Sequence, residues 1–263
     1  MRLAALGLLL FAAPAWAGEV YSFTVERRGG LDESTRTGRV LVDGTSYRLE
    51  LKPTANPRPF DVLISKSGDG KEIGLDLAGR TYYQLQEPRR DFPSSPLLRL
   101  WAMGPGKVKV SNVRLAVPET AAQETLSGLD ALKREMRLTY ELAVKFPGET
   151  VKGKVEIEVI RWLAKDKTLP LPSLLRPELY AALPEVDAKL TEALAKLAGF
   201  PVKQQMTITA VFAKGTSQTQ VTTTVVGGLA AADTAPSLFE VPAGFRYEEP
   251  VMTRPGVTHA PIP

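Results

Sequence analysis

Apolar and polar residues alternate along most of this chain. Tyr21, Phe23 and Val25 share one side of a segment, and Tyr47, Leu49 and Leu51 alternate with Arg48, Glu50 and Lys52. Ile73, Leu75 and Leu77 repeat the pattern. In the longest case Met136, Leu138, Tyr140, Leu142, Val144 and Phe146 lie opposite Arg137, Thr139, Glu141 and Lys145. A period of two predicts strands. One-sided alternation predicts a half-buried antiparallel sheet, because a parallel sheet buried on both faces reads as continuous apolar runs. Eleven strands are expected, at 20–27, 38–43, 46–52, 60–66, 71–77, 80–86, 107–117, 134–146, 151–162, 203–213 and 218–226.

The joints carry turn chemistry. Asp43-Gly44 separates two alternating runs and predicts a tight hairpin, since both residue types tolerate positive φ. Gly68-Asp69-Gly70, Gly79 and Lys214-Gly215-Thr216 mark further joints. Helical signals are few. Ser95-Pro96 supplies a cap and a first helical residue, Leu97, Leu98 and Trp101 a stripe, and Gly104-Pro105-Gly106 a stop. A second helix is predicted over 184–198, with Val186, Leu190, Leu194 and Leu197 at helical spacing and Gly199 and Pro201 beyond its end. A Pro-rich connection, Thr168 to Pro184, precedes it. The expected architecture is α+β: a single large antiparallel sheet of about eleven strands with a few helices packed on its apolar face.

The first residues change the compartment. Arg2, the apolar stretch Leu3 to Pro14 and the small residues Ala15 and Ala17 read as a secretory signal peptide, 1–17, cleaved before Gly18. The mature chain would have 263 − 17 = 246 residues, with the net charge falling from +4 to +3 as Arg2 is lost. A single domain is expected over 18–249, followed by a flexible, Pro-rich C-terminal tail at 250–263. No later apolar run reaches membrane-spanning length, so no transmembrane segment is expected in the mature chain, and the expected location is periplasmic or secreted. There is no cysteine, and a chain of this size buries enough core to do without disulfides. The 33 basic residues intermingle with 29 acidic ones without long runs of one sign, which argues for a solvated face and against a nucleic-acid partner.

Residue chemistry argues against an enzyme. His259, the only histidine, lies in the tail, where packing cannot hold an imidazole for a nucleophile. With no cysteine and one histidine, a cysteine–histidine zinc site cannot be assembled. Gly104-Pro105-Gly106-Lys107 lacks the first glycine and the Ser or Thr of a phosphate loop, and the segment around Asp69 lacks the alternating ligands of a calcium loop. Paired carboxylates for glycosidic cleavage remain open, although most acidic residues alternate onto polar strand faces. No cofactor is implied.

The order Val42-Asp43-Gly44, YRLEL at 47–51, VLIS at 62–65, DGKEIGLDL at 69–77 and GRTYYQL at 79–85 resembles the LolA-like lipoprotein-carrier superfamily, which includes the outer-membrane lipoprotein carrier. The chain looks closer still to a related uncharacterised exported domain family, with Leu169–Pro172, Gly199-Phe200-Pro201 and Ser237–Phe245 as matching stretches. The resemblance implies that the sheet is curved into an unclosed half-barrel of about eleven strands around helices that serve as a cover, with a concave face that accepts acyl chains.

On this reading the protein is an exported, non-enzymatic binding or carrier protein for lipid or acyl chains. Tyr47, Leu49, Tyr83, Leu138, Tyr140 and Met206 would line the sheet side of the site, and Leu98, Trp101, Leu190 and Leu194 its cover. The expected partner is a lipid or an acylated protein. The alternative is an envelope sensor or assembly module that binds a protein partner and fills its interior with its own side chains.

Overall fold

The computed structural model describes residues 17–29, 33–54, 60–66, 71–85, 107–118, 122–146, 148–176, 183–212 and 215–249. The signal segment before Ala17, the tail from Pro250, and the helix expected around Leu98 and Trp101 lie outside the described residues.

Thirteen strands form one sheet. They are β1 (Ala17–Arg28), β2 (Ser34–Asp43), β3 (Ser46–Leu51), β4 (Val62–Ser65), β5 (Glu72–Asp76), β6 (Thr81–Leu85) and β7 (Lys107–Ala116), then β8 (Ala122–Leu126), β9 (Leu129–Phe146), β10 (Glu149–Ala164), β11 (Pro201–Phe212), β12 (Ser217–Asp233) and β13 (Arg246–Tyr247). The spatial order is β13-β6-β5-β4-β3-β2-β1-β12-β11-β10-β9-β7, with β8 also paired to β9. Every pairing is antiparallel except β13 on β6. The sheet runs from β13 to β7 without closing, as an α+β half-barrel.

All eleven expected strands are present, and two more join them. β8 makes a hairpin with β9 through Ser127-Gly128, both at positive φ. β13 forms where the C-terminal segment returns to β6. The β2–β3 hairpin turns through Gly44-Thr45, with Gly44 at φ 56° and Asp43 still paired to Ser46. At the β5–β6 turn it is Arg80, not Gly79, that takes positive φ. Asp76 organises that turn by accepting from the backbone N–H groups of Ala78 and Gly79. Gly38 has a different reason. A Cβ there would lie 2.2 Å from the Glu50 carbonyl oxygen and 2.7 Å from the Phe23 ring, so the aromatic ring occupies the side-chain space itself.

Among the described residues one α-helix, α1 (Pro184–Lys196), and two 3-10 turns, Ser173–Leu175 and Pro236–Phe239, complete the fold. Pro184 sits in the first turn of α1, and Asp187 accepts from the N–H of Leu183 at 3.0 Å, satisfying one free donor of the helix start. The buried stripe of α1 is Val186, Leu190 and Ala193, continued by Leu197. Leu194, expected on that stripe, is only half-buried, because Ala193 sits nearer the sheet.

The apolar core falls into two large clusters. One packs α1 on β9, β10 and β11 through Met136, Leu138, Tyr140, Ile157, Val159, Leu190, Met206 and Ile208. The other gathers Tyr21, Phe23, Val40, Val42, Tyr47, Leu49 and Leu63 beneath Leu175 of the Pro-rich connection. A smaller third cluster, Val62, Ile64 and Leu75 with Val241 and Phe245, lies on the other face, where the C-terminal segment crosses.

Candidate functional site

The strand register orders the inner face into rows. At one level Tyr21, Val40, Leu49, Leu63, Gly74 and Tyr83 run across β1 to β6. At another, Leu138, Ile157, Ile208 and Gln220 run across β9 to β12. Between these lies Met136, Val159, Met206, Thr222, Arg27 and Ser34, from β9 through β12 and β1 to β2. A further row is Arg134, Arg161, Gln204, Thr224, Val25 and Arg36. The inner face is therefore apolar at both ends and polar along a band centred on β12.

The sequence-predicted site residues divide between the two apolar ends. Tyr47, Leu49 and Tyr83 belong to the cluster under the Pro-rich connection. Leu138, Tyr140, Leu190 and Met206 belong to the cluster under α1. Leu194 lies at the edge of α1, and Leu98 and Trp101 fall outside the described residues. The described strand residues among them thus share one face of the sheet in two groups, and Leu190 covers the second group from α1.

Each cover is tied to the sheet by a buried polar contact that alternation alone did not single out. Glu72, 2% exposed, points inward from β5. It accepts hydrogen bonds from the Tyr47 hydroxyl, the Ser173 hydroxyl and, at 2.7 Å, the Ser173 backbone N–H. Burial, reinforced by the Glu72 charge, pushes the Tyr47 hydroxyl well above the ordinary phenol range, so it stays a donor. Two more ties hold the same connection: the Tyr21 hydroxyl donates to the Pro170 carbonyl at 3.2 Å, and Lys167 pairs with Glu19. The α1 end is held by Arg161. Its Nη1 donates to the Leu197 carbonyl at the helix C-terminus at 2.8 Å, and its Nε donates to the Gln204 side chain at 2.8 Å. Burial lowers the Arg161 guanidinium to about 10.

On β12 the inside–outside pattern is reversed. Gln220, Thr222 and Thr224 point inward, while Val225 points outward and is 40% exposed. Gln220 is 1% exposed, and neither its Oε1 nor its Nε2 has a hydrogen-bond partner. The same holds for the buried Thr222 Oγ1 and for Arg27 Nε on the adjacent strand. The Tyr140 hydroxyl, at the α1 end, is a further buried and unpartnered group. Burial, then the nearby Asp187, raises its pKa. The signal available in the sequence was the order of QTQVTTTVV itself, where Val221 and Val225 alternate with Gln220, Thr222 and Thr224, and Val226 alone of the three valines shares their inward register.

Opposite Arg161, on the outer face, the Trp162 ring lies between Lys133 and Lys203, its two cross-strand partners, and its Nε1 donates to Glu124 at 2.8 Å. No cluster of His, Cys, Asp and Glu among the described residues could hold a metal ion. No helix of the described residues is long and apolar enough to cross a membrane.

No family model and no curated protein matches this chain. Among solved structures, it is similar to a LolA superfamily protein from Nitrosomonas europaea, at 10% identity and a TM-score of 0.34, over 87% of this chain and 91% of the other. It is similar to an outer membrane lipoprotein-sorting protein domain from Vibrio parahaemolyticus at 10% identity and a TM-score of 0.31, over 86% and 91% of the two chains. A DUF1329 family protein from Desulfovibrio piger aligns at 10% identity and a TM-score of 0.32, over 86% and 90%. The superfamily that the sequence resembles is represented among these three solved structures.

Proposed function

We propose that this protein is an exported, non-enzymatic carrier that holds a lipid or acyl chain against the inner face of its half-barrel. One observation supports this reading above the others. The apolar inner face is covered by two separate short pieces, α1 and the connection through Ser173–Leu175, each tied down by a buried polar contact. An ordinary two-layer domain covers such a face with a continuous second layer. The resemblance to the lipoprotein-carrier superfamily points the same way, and the signal peptide reading places the carrier in the periplasm or outside the cell.

The energetics favour acyl cargo. Burying a chain gains ~0.8 kcal/mol per methylene. About fifteen methylenes would contribute about 12 kcal/mol gross, before the loss of freedom on association. Useful affinity needs no motif of polar residues, which fits a chain whose candidate residues are tyrosine, leucine, methionine and tryptophan. Met136 and Met206 are buried in the cluster under α1, and their unbranched thioethers would let that cluster repack around cargo of varied shape.

Native mass spectrometry and lipid extraction of the purified protein test the reading. Co-purifying lipid, or saturable binding of a fluorescent fatty acid, is expected. Repeated preparations that carry no lipid and bind no fatty acid would end it. A stoichiometric envelope protein recovered with such lipid-free protein would support the interaction-module alternative instead.

A further inference from the structure

The polar band along β12 is costly as architecture. An antiparallel half-barrel normally turns apolar residues inward, and a buried amide with no partner loses its hydrogen bonds to water without replacement. Yet Gln220 is buried with both amide atoms unpartnered, beside Thr222 Oγ1 in the same state. Arg27 faces Thr222 directly across the β1–β12 pair, and its buried Nε is likewise unpartnered. Three side chains on two adjacent strands thus offer unused hydrogen-bonding groups on one face: the Nε of a guanidinium, an amide and a hydroxyl.

The surroundings define what would complete them. Apolar residues adjoin the group on both sides, Met206 and Ile208 on β11 and Val25 on β1. The charged side chains that share this inner face nearby, Arg36, Arg134 and Arg161, are all cationic. Arg161 is already committed to Leu197 and Gln204. Glu33, past the end of β1, is exposed and accepts from the Gly29 N–H. Outward-facing Arg28 pairs with Glu26, which leaves no carboxylate in an ion pair with Arg27 among the described residues. A donor fork, a second donor and a hydroxyl in a cationic, partly apolar setting suit an oxyanion attached to an aliphatic chain.

We propose that Arg27, Gln220 and Thr222 form a headgroup subsite that recognises the oxyanion of an anionic amphiphile, a carboxylate or a phosphate, while its acyl chain lies on the flanking apolar face. This rests on the carrier reading and adds to it a chemical class of cargo and the residues that select it.

Displacement of a neutral naphthylamine fluorophore from the purified mature protein tests it. Oleate and oleyl alcohol are compared at a pH where the fatty acid is ionised, alongside phosphatidylglycerol, neutral diacylglycerol and inorganic phosphate. Oleate is expected to displace the probe at concentrations at least ~10-fold lower than oleyl alcohol, the factor supplied by one charge-assisted hydrogen bond of the weaker kind. The pair phosphatidylglycerol and diacylglycerol reports a phosphate headgroup in the same way. Arg27→Met and Gln220→Leu should bring these ratios close to one, and Thr222→Val should reduce them. Tight binding of both amphiphiles with a wild-type ratio near one would overturn the subsite and leave the carrier reading standing. A preference that survives in folded Arg27→Met and Gln220→Leu would overturn it too, as would displacement by inorganic phosphate alone, which would assign the groups to a free anion. Failure of every amphiphile to bind would remove both the subsite and the carrier reading.

Discussion

Replacing Gln220 by leucine should make the empty protein more stable. The side chain is 99% covered, and its carbonyl and amide groups both lack partners. Each unsatisfied buried polar group costs ~1–3 kcal/mol relative to its hydration in the unfolded chain. Leucine is of similar size and would lie next to Ile208, its β11 partner in the register, in apolar contact. Partial relaxation and solvation of the amide reduce the gain, so a net rise in unfolding free energy of ~1–3 kcal/mol is expected. For a domain of this size that corresponds to roughly 2–10 °C in Tm. Urea titration followed by circular dichroism and tryptophan fluorescence measures it directly. The midpoint should rise with the m-value unchanged, which assigns the change to stability and not to the compactness of either state. A lower midpoint would refute the reasoning, since it would mean that Gln220 makes stabilising contacts in the empty protein. The same variant is expected to lose headgroup preference, so stability and selectivity should move in opposite directions.

Glu72→Leu should act in the reverse sense. It removes the acceptor shared by the Tyr47 hydroxyl and two part-buried Ser173 donors, leaving Tyr47 only its contact with Ser65, and ~1–3 kcal/mol of stability should go with it. Hydrogen exchange should rise first at the backbone amides of Ser173–Leu175, and uniform change across the sheet would argue against a local tie. Leu190→Ala opens a cavity beneath α1 and should cost ~2–5 kcal/mol in urea unfolding. A cost below 1 kcal/mol would mean that α1 is not firmly seated on the sheet.

Much of the sheet was legible because alternation is a local signal. Tyr47-Arg48-Leu49-Glu50-Leu51 has to place its apolar set on one face whatever the rest of the chain does. The two strands that were missed failed for definable reasons. AQETL at 122–126 carries no apolar face, so only Ser127-Gly128 betrayed its hairpin. Arg246–Tyr247 is a strand solely because the C-terminal segment meets β6. β12 ran past its expected end at 226 to Asp233. Gly227-Gly228 takes part in an irregular pairing opposite Ser22, with Gly228 at φ 62°, and the strand continues beyond it. Tyr47, Leu49, Leu138, Tyr140, Leu190 and Met206 were legible as inward-facing and are buried, and their division into two groups was not legible.

The sequence alone was enough to establish a large antiparallel sheet and the amphipathic helix after the Pro-rich connection, while the half-barrel curvature came from the superfamily resemblance. Strand, turn and helix periodicities are properties of neighbouring residues and survive without a partner. Tertiary structure decided which faces meet and what they lack. Glu72 looks like any solvated strand carboxylate until folding places Ser173 and Tyr47 against it, a hundred residues and a strand away. Gln220 reads as surface until register turns it inward, because the inward face of a strand is defined by its neighbours and not by its own composition.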